Sequence, residues 1–249
     1  MKKLNIMKII QAVKTHLFLS SFVLLISCGG GVDKDTQAGV TSDSLAKKDS
    51  TNQTILVDSV ENTNVSFKTI TINNQTWMVE NLDVVVFSNG DTILEAKSSN
   101  DWLSASKNGQ AAWCYYNDKD NSTTGKLYNW FAVNDKRGIA PLGWKVPSNS
   151  DFEELTKSLG GEKIAGAKLK STLGWGEKGT NESGFNAIPS GMRQFNAGFS
   201  NIDDYSYFWT STERKGDNAW YFGLGNKAPV AKTFFSQKGN GFSIRCIKE

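Results

Sequence analysis

An α+β fold with twisted antiparallel strands, one or two helices and long loops is the class this sequence predicts. Three observations carry that expectation. A hairpin signature opens the folded part, and one helix is sharply marked by its caps. The C-terminal third reads as aromatic-rich strands parted by Gly and Asn.

The elements follow in order. In "FKTITINNQTWMVENL" (67–82), Phe67, Thr69 and Thr71 alternate with Lys68, Ile70 and Ile72. Such alternation reads as strand, and Asn73-Asn74 tolerate the positive φ of a tight hairpin turn. "GKLYNWFAVN" (125–134) suits a short helix, and its aromatics suit a strand equally well. "GWKVPSNSDFEEL" (143–155) is a strand-to-helix corner. Pro147 cannot continue a strand ladder, Ser148 can cap a helix, and Asp151 completes a capping box. These are structural roles, so the corner is not expected to be catalytic. Phe152, Leu155 and Leu159 then make one apolar face, and Gly160-Gly161 supply a left-handed stop. In "YSYFWTST" (205–212), Tyr205, Tyr207 and Trp209 share one strand face and Phe208 takes the other. "AWYFGLG" (219–225) and "GFSIRCIK" (241–248) read as further strands.

Three segments are expected along the chain. All eight tryptophans lie between Trp77 and Trp220, which sets the folded domain at about 65–249. Residues 1–27 carry Lys2, Lys3, Lys8 and Lys14 ahead of the apolar run "LFLSSFVLLIS" (17–27). That run is too short to span a bilayer, where a helix needs about 20 residues, and it reads as a secretory signal. It ends in "LISC", which resembles the lipobox of bacterial lipoproteins. The resemblance implies cleavage before Cys28 and acylation of Cys28, with the membrane as partner through that lipid. An ordinary signal peptide with a chance cysteine is the alternative. Gly29, rather than Asp, follows Cys28, which points to the outer membrane. Residues 28–64 form a polar linker without aromatics, unable to offset its ordering entropy by burial. As a flexible coil its ends average roughly 30–35 Å apart. Its "DSL", "DST" and "DSV" triplets resemble the O-glycosylation motif of Bacteroidota and single out Ser44, Ser50 and Ser59. A bare solvated spacer is the alternative.

Charge and composition then exclude several chemistries. The signal holds four lysines and no acid, so its loss takes the formal charge from +3 to −1. A basic face for nucleic acid is therefore not expected. The single histidine, His16, leaves with the signal. Ser-His-Asp and Cys-His catalysis and histidine-containing zinc sites are excluded in the mature chain. With Cys28 acylated, Cys114 and Cys246 remain in an oxidising compartment. Parity favours one disulfide between them, and two buried free thiols are the alternative.

Seven blocks occur in order: "TINNQTWMVENL", "GKLYNWFAVNDKRGIAPLGWKVPSNSDFEEL", "KLKSTLGW", "GTNESGFNAIPSGMR", "YFWTSTE", "NAWYFGL" and "GFSIRCIK". Together they resemble the Fibrobacter succinogenes major paralogous domain, found largely in exported proteins. "GWKVPSNSDFEEL" and "GFSIRCIK" are also similar to blocks of formylglycine-generating sulfatase modifiers. That likeness implies a C-type-lectin-like mixed fold, in which a disulfide commonly ties an early helix region to the last strand. Cys114 and Cys246 would fit that pattern. The modifiers use a closely spaced cysteine pair, absent here, so their activity does not carry over.

Metal and carboxylate motifs are broken. "DKDNSTTGKLYN" (118–129) begins like a calcium loop with Asp118 and Asp120, and lacks the sixth-position Gly and twelfth-position Glu. No metal and no cofactor is expected. Glu182, Asp203, Asp204 and Glu213 read as solvated surface acids rather than a glycosidase pair. Asn181, Glu182 and Ser183 in "GTNESGF" could meet a sugar hydroxyl or an ion, and a side-chain-stapled turn is the favoured reading. The ligand loops implied by the lectin likeness are 176–184 and 196–206, carrying Asn181, Glu182, Asp203, Asp204 and Tyr205. The expected function is a lipid-anchored, non-catalytic envelope protein that binds a glycan or surface polymer. A structural envelope component and an enzyme of undefined type are the alternatives.

Overall fold

The computed structural model describes residues 66–119 and 124–249. The expected signal, Cys28 and the triplets of Ser44, Ser50 and Ser59 lie outside the described residues, as does Asp120.

The hairpin forms as its sequence requires. β1 (Thr69–Ile72) and β2 (Gln75–Met78) pair antiparallel, with Ile72 opposite Gln75. Two residues connect them, and Asn73 takes φ 54°, the left-handed region that Asn tolerates. β3 (Leu94–Glu95) leads into α1 (Ser99–Asn108), which returns to β4 (Ala112–Cys114) in parallel with β3. α1 was not expected from the sequence. Ser98 and Asp101 form its capping box, Trp102 and Ala105 are its buried face, and Gly109 stops it at φ 64°.

The ambiguous aromatic stretch is both strand and helix. β5 (Leu127–Tyr128) pairs with β4, and α2 (Trp130–Val133) is a single turn capped by the Asn129 side chain on the Ala132 amide. β6 (Trp144–Lys145) ends at the corner, and α3 (Asn149–Ser158) begins behind Ser148. The Ser148–Asp151 capping box is complete, and Phe152 and Leu155 are fully buried. Pro147 also serves the fold, because its carbonyl accepts the Ser211 amide at 2.8 Å. Gly160 and Gly161 follow at φ 103° and 93°. They admit a second unexpected helix, α4 (Glu162–Leu169). Among the described residues four α-helices therefore replace the expected one or two.

β7 (Ser190–Arg193) pairs antiparallel with β8 (Phe199–Ile202). β9 (Tyr205–Glu213), β10 (Asn218–Gly225) and β11 (Ala231–Gln237) form an antiparallel sheet in the order β11-β10-β9. The fold is thus mixed α+β, with mainly antiparallel sheets and few helices.

The last block departs from its reading as one strand. Only β12 (Ile247–Lys248) is regular, between β2 and β6. Upstream, Gly241 exchanges backbone bonds with Arg193, Phe242 with Tyr128, and Ser243 with Tyr207 and Trp209. Ile244 and Cys246 then accept the amides of Leu82 and Met78. The segment cannot be a single ladder because its backbone groups are shared among four sheets.

β9 separates two apolar clusters, as its alternation predicts. Tyr207 and Trp209 join Trp113, Trp130 and Phe242 on one side. Phe208 joins Trp77, Phe152 and Phe222 on the other. The Phe152 and Phe222 rings stack at 4.4 Å and 9°, a contact of about 0.5–1.5 kcal/mol beyond simple burial.

The disulfide expectation is corrected. Cys114 and Cys246 are free and buried. Cys114 packs with Trp102, Ala105 and Leu127, whereas Cys246 lies in a different cluster with Met78, Leu82 and Phe242. Parity counts thiols and says nothing of where the fold puts them. Burial pushes both thiols up to about 12, against the opposing pull of Arg193 and Arg245 respectively.

Candidate functional site

The β9–β10–β11 sheet carries aromatic side chains on one face and glycines between them. In register, Tyr221 opposes Trp209 and Phe234, Gly223 opposes Tyr207, and Gly225 opposes Tyr205. Four rings form a continuous row. Tyr205 lies 5.8 Å from Tyr207, Tyr207 lies 5.5 Å from Tyr221, and Tyr221 lies 5.7 Å from Phe234. The glycines make the row possible. A Cβ at Gly225 would stand 3.0 Å from the Tyr205 ring, and one at Gly223 only 3.3–3.4 Å from Tyr221 and Phe234. Glycine inside a strand weakens it, and it permits this close approach of rings to backbone.

The ends of the row face solvent. Tyr205 is 45% exposed and Phe234 39%, while Tyr207 is 8% exposed. A polar rim accompanies the tyrosines. Asn201 Nδ2 donates to the Tyr207 hydroxyl at 2.7 Å. Burial raises the Tyr207 phenol above its ordinary value, the Asn201 bond opposes this, and Tyr221, Tyr205 and Asp204 add to the rise. Tyr221 is raised in the same way, by burial and then by Tyr205.

Asn226 ties the rim together. Its backbone amide donates to the Asp204 carbonyl at 2.7 Å, and its Nδ2 donates to Asp204 Oδ1 at 3.2 Å. Its Oδ1 accepts the Glu177 amide at 2.7 Å. Beneath it, the buried Lys170 ammonium donates to the Gly225 and Asn226 carbonyls at 3.3 and 3.1 Å. Burial lowers the Lys170 pKa, with Glu177 pulling it back up.

The expected loop residues divide into two groups. Asp203, Asp204 and Tyr205 follow β8 in one turn at the end of the row, and Asp203 takes φ 65°. Asn181 and Glu182 belong to a turn stapled to its surroundings. Asn181 Oδ1 accepts the Asn186 amide at 2.9 Å, and Ser183 Oγ donates to the Lys168 carbonyl at 2.8 Å. Glu182 lies 3.7 Å from the Lys168 ammonium. The stapled-turn reading describes this segment, and its link toward Asp204 runs through Glu177 and Asn226. Tyr221, Phe234, Asn201 and Asn226 were not singled out from the sequence. Gly223 and Gly225, two residues apart inside an aromatic strand, were the available signal.

Two clefts of about 220 Å³ lie elsewhere. One is lined by Glu95, Lys97, Cys114, Tyr115 and Asp118, the other by Phe152, Thr156, Phe222 and Ala231 among others. Among the described residues no Asp or Glu is buried. No three His, Cys, Asp or Glu side chains among them converge as metal ligands. Nor is any described helix long and apolar enough to cross a membrane.

No curated protein and no solved structure matches the chain. The family model of the Fibrobacter succinogenes major domain matches residues 70–248, from the first strand of the hairpin to the last strand of the fold. The chain therefore belongs to the Fibrobacter succinogenes major domain family.

Proposed function

We propose that this is a non-catalytic envelope protein, held to the outer membrane through a lipid on Cys28, that binds a glycan or surface polymer. The scaffold on this reading is C-type-lectin-like. The observation that carries the proposal is the tyrosine row. Exposed Tyr205 stands beside Asp204 and Asn226, which supply acceptors and donors, and half-buried Tyr221 and exposed Phe234 lie farther along the same face. Stacking on rings with flanking amides and carboxylates is the chemistry sugars ask for, since a pyranose has an apolar face and a hydroxyl edge. The site is open and shallow, so a single copy binds weakly, and many copies on one membrane supply avidity. On the reading of residues 28–64 as a flexible coil, each copy would reach roughly 30–35 Å. Non-catalysis is supported by the exposure of the carboxylates at the row, Asp203, Asp204 and Glu177.

The experiment is a multivalent display of the purified protein on host and bacterial glycans, with released sugar measured in parallel. Retention without release is the expected result. Release of product from any glycan would make the protein an enzyme. No retention on any polymer, with unchanged attachment of cells lacking the protein, would make it a structural component.

A further inference from the structure

Away from the tyrosine row, Arg193 on β7 is fully buried. Its Nη1 donates to the Ala96 carbonyl at 3.2 Å and to Asp118 Oδ1 at 2.7 Å. Nε and Nη2 have no hydrogen-bond partner among the described residues. These two nitrogens form one edge of the guanidinium, and an N–H of each points the same way. That edge is the fork with which arginine grips an anion. The indole Nε1 of Trp102, on α1, is also buried and without a partner among the described residues. Five buried side-chain atoms share this condition among the described residues, and three of them meet here.

The surroundings do not satisfy these donors. The Trp102 ring centre lies 5.0 Å from the guanidinium carbon, and the Phe199 ring centre, on β8, lies 4.7 Å from it. Both rings favour the cation. Neither replaces an acceptor for N–H bonds that lie in the guanidinium plane, and a buried donor left unbonded is costly. The Cys114 thiol on β4 also meets the guanidinium, but sulfur is a weak acceptor. The cleft of about 220 Å³ reaches the same place, because Ala96, Cys114 and Asp118 line it and also contact Arg193. Glu95 and Lys97, paired at 3.3 Å, line it too.

From this we infer that the Nε–Nη2 edge of Arg193, with Trp102 Nε1, seats a small monovalent anion, a halide or a carboxylate of formate size. All three unbonded atoms are donors, which suits an anion, whereas a water would bring protons of its own. The donors are enclosed, and that sets the size. The carboxylates of Glu95 and Asp118 line the cleft, and their charge disfavours phosphate or sulfate. The seat joins α1, β4, β7 and β8, so a bound anion stabilises the folded protein. This inference is independent of the glycan reading.

The test melts the purified protein in sodium chloride, sodium formate and sodium gluconate at one ionic strength, gluconate being too large for the seat. At ten times its half-saturating concentration, chloride or formate should raise the midpoint by roughly 3–6 °C over gluconate. Which of the two acts tells halide from carboxylate. Trp102→Phe removes one donor and should weaken the half-saturation about tenfold. Asp118→Asn keeps the acceptor, removes the opposing charge and should tighten it severalfold. Crystals of the unaltered protein grown with bromide or with formate should show the anion on the Nε–Nη2 edge, bromide by its anomalous scattering. Equal midpoints in all three salts would overturn the inference. So would a salt effect that neither variant alters, or an ordered water on that edge in both crystals. The salt series and the crystals of the unaltered protein decide even if Trp102→Phe folds poorly.

Discussion

Arg245 and Asn81 close the fold across 164 positions of sequence. The guanidinium donates Nε and Nη2 to the same Asn81 oxygen, at 3.1 and 2.6 Å. Arg245 is fully buried without a carboxylate partner, and its remaining donors go to the Phe185 and Met78 carbonyls. The Phe185 and Phe208 rings lie 4.7 and 5.4 Å from it. Burial pushes its pKa down to about 9, with Glu80 and Cys246 opposing, so it remains charged at neutral pH. Asn81 also donates to the Thr124 carbonyl and to Ser243 Oγ. One amide thus joins the hairpin, the central aromatic stretch and the terminal block.

Removing that amide is expected to be costly. Asn81→Ala deprives a buried charge of two hydrogen bonds, and bonds to charged groups contribute roughly 1.5–3 kcal/mol each. The denaturant midpoint should fall by an amount equivalent to about 3–6 kcal/mol, with an unchanged slope. A change below about 0.5 kcal/mol, the range of ordinary surface substitutions, would show that Arg245 finds other partners.

The Ser148–Asp151 box gives a pH prediction with a definite sign. Burial raises the Asp151 pKa, but bonds from the Ser148 amide and hydroxyl and the Lys145 charge outweigh it, and the net shift is downward. A carboxylate depressed in the folded state adds stability above its unfolded value, near about 3.9, and loses it as pH falls through the lower folded value. Asp151→Asn should flatten the acid limb of the stability curve, and Ser148→Ala should cost about 1 kcal/mol at neutral pH. Thermal melts of both variants between pH 2 and 7 provide the check. An acid limb unaltered by Asp151→Asn would remove the box from the account.

The two core thiols should be unreactive until the protein unfolds. Only the thiolate is nucleophilic, and burial holds both pKa values up at about 12. Alkylation in denaturant without reductant is expected to label Cys114 and Cys246 fully, and alkylation of the native protein neither. A linked peptide on non-reducing mapping would contradict this.

Anchoring has its own test. Labelled fatty acid should enter the intact protein in cells, and Cys28→Ser should abolish the uptake. Absence of label in the unaltered protein would contradict lipid attachment while leaving the site on the sheet untouched.

Local signals were the legible part of the fold. Asn73-Asn74 and the Ser148 box announce the hairpin and α3 because each is settled by its own few residues. Ser98 and Asp101 make the same box at α1, yet only Trp102 and Ala105 are buried there, too few to show a helical period. α4 lacks a capping side chain and carries Gly166 in its middle. That glycine is tertiary in origin, since a Cβ would stand 2.3 Å from the Pro229 carbonyl oxygen. The terminal block is buried from Gly241 to Ile247, so it has no alternation to read. At the site, Asp204 and Tyr205 were legible as a polar turn with a ring. Tyr221 and Phe234 join them only through strand register, which no single segment encodes.

The most direct test of the central claim compares the displayed protein with its Tyr205→Ala variant on one panel of host and bacterial polysaccharides. Tyr205 is 45% exposed, so its removal should leave thermal stability nearly unchanged. The account predicts that the unaltered protein is retained on at least one polysaccharide and that Tyr205→Ala loses about tenfold in apparent affinity there. Retention of both proteins alike, or of neither, would contradict it.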